Sequence, residues 1–478
     1  MANPEHMALL LSEEWNAWRT RNANVTPDLT SAPLAGRDLS GKDLKRADLS
    51  RADLTGATIA AADFSRATML EARLGSTSGP GVIFENCLLD FLDLSNAFLA
   101  GARLRSASLQ NCSLAGANLA GADVSRARFD GSDISEANLA GANLSDTSLR
   151  GVKASGAHFD GADLSRSFFE GVSLTGGSFP NANFEGANLK GADLTGADLR
   201  RTRFIHTNLR QAALNAANCE GADFTDSDLE LSSAVETDFS GACFDRAKMR
   251  KMELKRAIFM EATGQDVSFT SSRLLEVDLR TARFESANFQ NADLSKAIVS
   301  RTNLKPYSFV GAKFANCDAS EVQAQGVNFS RADLSHANFR LANLKRANLS
   351  GCHAREADLS GTLLVGTNFT DASLEEADLR FARAIGADFT RATLGGADLA
   401  NADFSEATFK GARIWGATAR RVKPPRGMGM LLSISTMFHK AKQKKTTVAD
   451  LRDQQRQKRI AALEAEADQK PPHLTGRR

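Results

Sequence analysis

The stretch GANLKGADLTGADLR, residues 186–200, repeats one phrase three times: a small residue, an acid or amide, a leucine and two freer positions. An α-helix has no use for a leucine at every fifth residue. At about 100° per residue, a step of five carries each leucine roughly 140° around the axis, and no apolar stripe forms. A flat strand fails too, because its period of two sends leucines five apart to alternate faces. The spacing is satisfied when the chain itself turns after every quintet, so that each leucine points at one central axis.

The same phase holds far beyond this stretch. From Leu34 to Ile414 there are 77 positions in register, and 68 of them are Leu, Ile, Val, Met or Phe. Two residues earlier lies a small side chain, as at Ala47, Ala52, Ala57, Ala62 and again at Ala182, Ala187, Ala192, Ala197. Residues two apart on an extended side face the same way, so these alanines point inward as well. A narrow interior takes one large and one small side chain per side. The Asp or Asn between them faces out, and the last two positions carry the Gly, Ser, Thr and charged residues that corners require. Phenylalanine reports the number of sides. Among the register positions, Phe–Phe pairs number 11 at a separation of 20, against 6 at 15 and 7 at 25. Runs such as Phe184–Phe204–Phe224–Phe244 and Phe269–Phe289–Phe309–Phe329 supply most of them. The expectation is an all-β solenoid with four sides and 20 residues per coil: about 19 coils, a tower of about 90 Å.

The A-(D/N)-L-x-x phrasing of ANLKGADLTGADLR resembles the pentapeptide-repeat family over about four-fifths of the chain. The resemblance implies a right-handed quadrilateral parallel β-helix with inward Leu, Phe and Ala. For function the resemblance says little, although some family members are acidic rods that resemble duplex DNA and occupy DNA gyrase. Independently of it, a rigid rod with long flat faces and a filled interior offers recognition surface and no pocket.

An open β-helix exposes a sheet edge at each end, a template for unwanted pairing. At the N-terminus Asn3 is placed as a helix N-cap, with Pro4 at the first helical position. Met7, Leu11, Trp15 and Trp18 then fall on one helical face and read as a hydrophobic cap. The WNAWR…PDL passage is similar to the leader that precedes such repeats. Past Ile414 and Trp415 the register decays, so the chain divides into a cap and lead-in at 1–28, the repeat at 29–418 and a basic tail at 419–478. In that tail the apolar run MGMLLSISTMF, 428–438, reads as a second cap, with an anionic membrane surface as the alternative. Residues 447–468 read as a solvated or partner-binding helix, followed by disorder. Inside the tower, GSTSGPGVIF at 75–84 suggests a distorted coil or loop, and Tyr307, at an inward small position, a swollen or outwardly flipped side.

Charge and chemistry narrow the function. The whole chain has 59 basic and 57 acidic residues, but from Arg420 onward there are 15 basic and 5 acidic, a net of +10. Residues 34–418 hold 42 basic and 48 acidic, a net of −6, which is too weak for the continuous negative field that DNA mimicry needs. No histidine has a companion at metal-ligand spacing, and every cysteine except Cys243 sits at an inward position. No glycine run has phosphate-binding spacing. The carboxylates belong to the repeat, so no acid–base pair stands out. The expectation is a non-enzyme without cofactor, metal or small-molecule substrate. With neither a signal sequence nor a transmembrane stretch in view, a soluble cytoplasmic protein is expected. Two basic runs are the candidate interaction surface: Arg200, Arg201, Arg203, His206 and Arg210 in the first, Arg250, Lys251, Lys255 and Arg256 in the second. The leading function is a scaffold with an unidentified protein partner. Its alternatives are a DNA-mimicking ligand of gyrase, and association of the basic tail with membrane or nucleic acid.

Overall fold

A computed structural model of the chain describes residues 1–305 and 307–425. Two short helices open it, α1 at Pro4–Leu10 and α2 at Trp15–Arg21. Parallel pairing then runs from Asp28↔Asp48 to Asp403↔Lys423, always between residues 20 apart. Each coil therefore has four sides, and the last bridge lies beyond Ile414, the end of the register read from sequence. The apolar 428–438 stretch and the helix expected at 447–468 lie outside the described residues. No described helix is long and apolar enough to cross a membrane.

One quintet shows how the chain turns. The Leu44 amide donates to the carbonyl of Asp63 on the next coil at 2.7 Å, and the Asp63 amide donates back to the Lys42 carbonyl at 2.9 Å. At the corner the Ala47 amide donates to the Leu44 carbonyl at 3.1 Å, with Arg46 between them at φ +60°. This is a turn that needs one left-handed residue, the conformation of type II turns. The outward acid assists it, since the Ser50 amide donates to Asp48 Oδ1 at 3.0 Å and the Ser65 amide to Asp63 Oδ1 at 2.9 Å. Hence the Asp or Asn at the middle of so many quintets: its short side chain satisfies the backbone two residues on.

Inside, like stacks on like. Phe184–Phe204–Phe224–Phe244 form a stack with successive ring centroids 5.3, 5.0 and 5.2 Å apart, and Phe269, Phe289, Phe309 and Phe329 form another. Where an inward alanine is replaced by threonine, the hydroxyl is satisfied by backbone: Thr202 and Thr207 donate to the carbonyls of Phe179 and Phe184 at 2.8 and 2.7 Å. The column is thus solid, with its polar atoms paired.

The N-terminal cap differs from the single helical face expected. The chain breaks into two helices between Leu10 and Trp15. Leu11 is the C-cap of α1 and 50% exposed, whereas its neighbour Leu10 is fully buried and takes the inward place. Trp15 is buried, and Met7 and Trp18 pack half-buried against the core. The cap also closes the sheet edge with polar groups. Trp15 Nε1 donates to the Asp43 carbonyl at 2.8 Å, Arg19 to the Lys45 carbonyl at 2.9 Å, and Asn16 bonds both the Gly41 carbonyl and the Asp43 amide.

Two irregularities also fall differently from expectation. The 75–84 stretch is a regular coil: Ser76 and Gly81 hold corner φ values of +56° and +68°, and Ser78 pairs with Phe98. Gly79 points inward, where a Cβ would come within 2.6 Å of Ile59. The real distortion lies at 263–308. There Thr281 and Ser286, among the described corner residues, lack the left-handed φ. Pairing lengthens into two-residue strands β1 (Thr263–Gly264), β2 (Val267–Ser268), β3 (Arg283–Phe284), β4 (Ala287–Asn288) and β5 (Tyr307–Ser308). Tyr307 swells this side and does not flip out of it. Its ring lies 5.5 Å from that of Phe289, and its hydroxyl donates to the Phe284 carbonyl at 3.1 Å.

Replacing Trp15 by Ala removes both an apolar plug and an edge donor. A local loss of about 3–5 kcal/mol is expected. Because stability in a stacked array is a nearest-neighbour property, amide exchange should accelerate in the coils nearest the cap and stay unchanged beyond residue 150.

Candidate interaction surface

In a coil of this kind, neighbours in sequence are spread around the perimeter, and neighbours on one surface are 20 residues apart. The two basic runs show the effect. Arg200 and Arg201 occupy one corner, Arg203 the next face, His206 the following corner and Arg210 the one after. Lys255 and Arg256 share a further corner. Only Arg210, Arg250 and Lys251 come together, two coils or about 10 Å apart along one corner, and they converge on Glu230 at 2.6, 3.9 and 3.8 Å.

Most of these cations are neutralised across or within coils. Arg200 is paired with Asp198 at 2.5 Å, Arg203 with Glu185 at 3.1 Å, and Arg256 with Glu236 and Glu276. His206 lies 3.9 Å from Asp226, whose carboxyl is held below its usual range by the Arg246 guanidinium bonded to it. Arg201 and Lys255 have no ion pair among the described residues. The sequence-contiguous patches therefore do not form one basic face. They form ladders of alternating sign, in which exposed pairs contribute little each.

A different feature emerges only when coils are stacked. The corner residue that follows each turn carries φ near +60°, a conformation that costs an L-residue about 1–2 kcal/mol and that glycine or asparagine adopts more easily. Leu341 and Phe381 occupy such places at φ +59° and +61°, and both are more than half exposed. They stand two coils apart on one corner, with Gly361 between them. Together with Arg340, Ser360 and Arg380 they border a recess of about 410 Å³. A Cβ on Gly361 would lie 2.7 Å from Leu341 Cδ2, so the leucine side chain lies over the glycine of the next coil. Near the other end Phe91, also at a left-handed corner, joins Leu70 and Leu88 in a second exposed apolar group. The signal for this was in the register: Leu341 and Phe381 sit 40 residues apart where the repeat ordinarily places glycine, asparagine or charge. A second recess, of about 500 Å³, lies on the distorted side between Asp266, Ser286 and Tyr307. There Ser286 Oγ donates to Asp266 Oδ1 and accepts from the Asp266 amide, both at 2.7 Å.

The thiols are placed for packing. Burial pushes Cys87, Cys112 and Cys352 up to about 12 and raises Cys219 and Cys317 as well. Cys243 alone among the six is not fully buried. Among the described residues no group of His, Cys, Asp or Glu could hold a metal ion. Alkylation of the native protein at pH 8 should therefore label Cys243 and spare the other five, all six reacting after denaturation. Mass spectrometry of the labelled peptides reads this directly.

Pentapeptide-repeat models match most of the tower. One matches residues 28–66, 83–119, 178–215, 192–230, 212–250, 265–301, 308–346, 342–380 and 387–423, and a model of a pentapeptide repeat region matches 102–179. No curated protein sequence matches the chain. Among solved structures it is similar to QnrB1, a plasmid-mediated fluoroquinolone resistance protein, at 18% identity over 43% of this chain and 91% of that one, with a TM-score of 0.31. HetL, involved in heterocyst differentiation regulation in the cyanobacterium Nostoc sp. strain PCC 7120, is 22% identical over 65% of this chain and 88% of its own, with a TM-score of 0.17. A pentapeptide repeat protein of the Arabidopsis thaliana thylakoid lumen is 27% identical over 23% of this chain and 66% of its own, with a TM-score of 0.16. The family matches span well over half of the sequence and follow the observed coils from residue 28 to residue 423, so the chain belongs to the pentapeptide-repeat family.

Proposed function

We propose that this protein is a non-enzymatic, cytoplasmic recognition rod, right-handed and of about 19 coils, that binds a protein partner through apolar side chains on its corners. The basic tail from 419 onward adds a second, electrostatic contact. One observation carries the reading: Leu341 and Phe381 combine a left-handed backbone with an exposed apolar side chain around a recess. Each feature is unfavourable for the isolated rod, and contact with a partner offsets both. Buried aromatic anchors in pockets are also where binding energy concentrates. Phe91, with Leu70 and Leu88, supplies a second anchor by the same logic.

The test is a pair of substitutions, Leu341→Asn and Phe381→Asn, in a pull-down from the native host. Asparagine suits the left-handed corner, so thermal stability should hold or rise by about 1 kcal/mol. Partner retention should fall at least tenfold, the loss of one anchor being worth about 2 kcal/mol or more. Undiminished retention by the double variant would reject the corner as the site.

A second reading, DNA mimicry toward gyrase, has one observation behind it. The outward column from Asp198 to Asp398 carries seven aspartates and no lysine or arginine. Arg200, Arg280 and Arg380 fold back on Asp198, Asp278 and Asp378, which interrupts the field of that face. The recognition-rod reading expects gyrase supercoiling to proceed unaffected at micromolar protein. Inhibition relieved by Asp238→Asn and Asp318→Asn would favour mimicry instead.

A further inference from the structure

One junction between coils is unzipped along one side. At a regular junction backbone bonds secure each face and its two corners. The amides of Asn181, Phe184 and Gly186 donate to the carbonyls of Arg200, Arg203 and Ile205 at 2.9, 2.7 and 2.9 Å, and the Arg203 amide donates back to Ala182 at 2.9 Å. Five coils later the equivalent amides are those of Thr281, Phe284, Ser286 and Asn303. Among the described residues none of them has a backbone acceptor across the junction, and no bridge joins Arg283 to Asn303. The opposite side of the same two coils is fully joined. There the amides of Asn291, Leu294 and Lys296 donate to the carbonyls of Val310, Lys313 and Ala315 at 2.9, 2.7 and 3.0 Å, and the Lys313 amide donates back to Ala292 at 2.8 Å. The adjoining junctions on the unzipped face are closed as well, the Arg283 amide donating to the Ala262 carbonyl at 2.7 Å and the Leu304 amide to the Gln323 carbonyl at 2.9 Å.

We propose that this seam is a hinge, at which the coils before it and the coils after it pivot as two stacks about the Asp293↔Lys313 face while the slit between 281–286 and 300–305 opens and closes. The side chains divide in the same way. The Thr281 and Ser286 hydroxyls accept from the amides of Glu261 and Asp266 at 3.3 and 2.7 Å, which ties their corners to the coil before. Arg283 pairs backward with Glu261, and Arg301 forward with Glu321 at 3.2 Å. No ion pair crosses the slit among the described residues. Behind it Ala282 and Thr302 are half-buried, whereas Ala262 and Val322, at the equivalent places of the adjoining coils, are fully buried. Tyr307 spans the junction. Its ring fills an inward place that regular coils give to a small residue and so wedges the side open, while its hydroxyl, donating to the Phe284 carbonyl at 3.1 Å, limits the opening. The apolar groups around Phe91 and Phe381 stand on opposite sides of the seam, so bending changes how they face one another. The hinge does not rest on the partner reading.

Double electron–electron resonance on the full-length chain tests the hinge, with Cys243→Ser removing the one thiol that is not fully buried. Spin labels at Arg203→Cys and Gln323→Cys span the seam over six coils, about 29 Å. Labels at Ile83→Cys and Arg203→Cys span six coils without it. The distance distribution of the first pair should be broader than that of the second by about twofold or more. Tyr307→Phe, which keeps the wedge and loses the hydroxyl, should broaden the first distribution further. Thr281→Gly/Ser286→Gly/Tyr307→Thr, which gives the corners residues that accept a left-handed φ and the inward place a small side chain, should narrow it to the width of the second. Equal widths for the two pairs without any change at the seam would overturn the hinge. So would a width across the seam that neither seam variant moves.

Discussion

The structure depends on one local bargain, a hydrogen bond across each corner that requires a left-handed residue at every fifth position. Arg46 at +60°, between the Leu44 carbonyl and the Ala47 amide, is one example, and the same geometry returns around the rod with few exceptions. No single turn of this kind is stable alone. It becomes stable because the carbonyls and amides it leaves pointing along the axis meet those of the next coil, as Leu44 meets Asp63. The turn sets the shape and the stacking sets the stability. Neither can be removed while keeping the other.

The interior and the surface follow from that arrangement. With two inward side chains per side the interior is filled by the apolar column, and the polar and charged residues lie on the outside. On the outside each residue's neighbours lie 20 positions before and after it. This geometry favours ladders: Arg166 on Asp146, Arg246 on Asp226, Arg391 on Asp371, and asparagine on asparagine, as Asn208 Nδ2 donates to Asn188 Oδ1 at 2.9 Å. Such ladders neutralise the rod coil by coil. A net charge over the whole body is consequently a poor guide to the field at any one place, because sign is sorted by column.

The fold was legible in the sequence because its period is covalent. A register of five survives any detail of packing, and stacked phenylalanines at 20 disclosed the number of sides. Features that depend on three-dimensional neighbours were less legible. Helical periodicity placed Leu11 in line with Met7 and Trp15, but it could not register the break between Leu10 and Trp15, which rotates Leu10 inward in its place. The glycines and proline at 75–84 looked like a loop, yet each falls where the coil accepts it, and the distortion lies farther on, at 263–308. The basic runs at 199–210 and 250–256 stood out in the sequence, but which of their residues stack, Arg210 with Arg250 and Lys251, follows from the 20-residue coil and not from adjacency in the chain. Leu341 and Phe381 were overlooked for the converse reason, being close in space and 40 residues apart in the chain.

That last pair shows how function can be read on a scaffold this repetitive. A solenoid has a local standard for every position, so a departure can be judged against its own neighbours. Arginine or glutamate at a left-handed corner is tolerable, because the long side chain stays in water and reaches a partner on the adjacent coil, as Arg256 reaches Glu236. Leucine or phenylalanine there finds no ionic or hydrogen-bond partner on the rod and stays more than half exposed. The backbone conformation is unfavourable for it, the side chain stays wet, and the core it would otherwise join lies behind the turn. Glycine at 361 accommodates the leucine, whose Cδ2 lies where a Cβ on that glycine would come within 2.7 Å. An arrangement that is unfavourable at two stacked positions, Leu341 and Phe381, and has a glycine between them, is what the proposed contact outside the chain rests on.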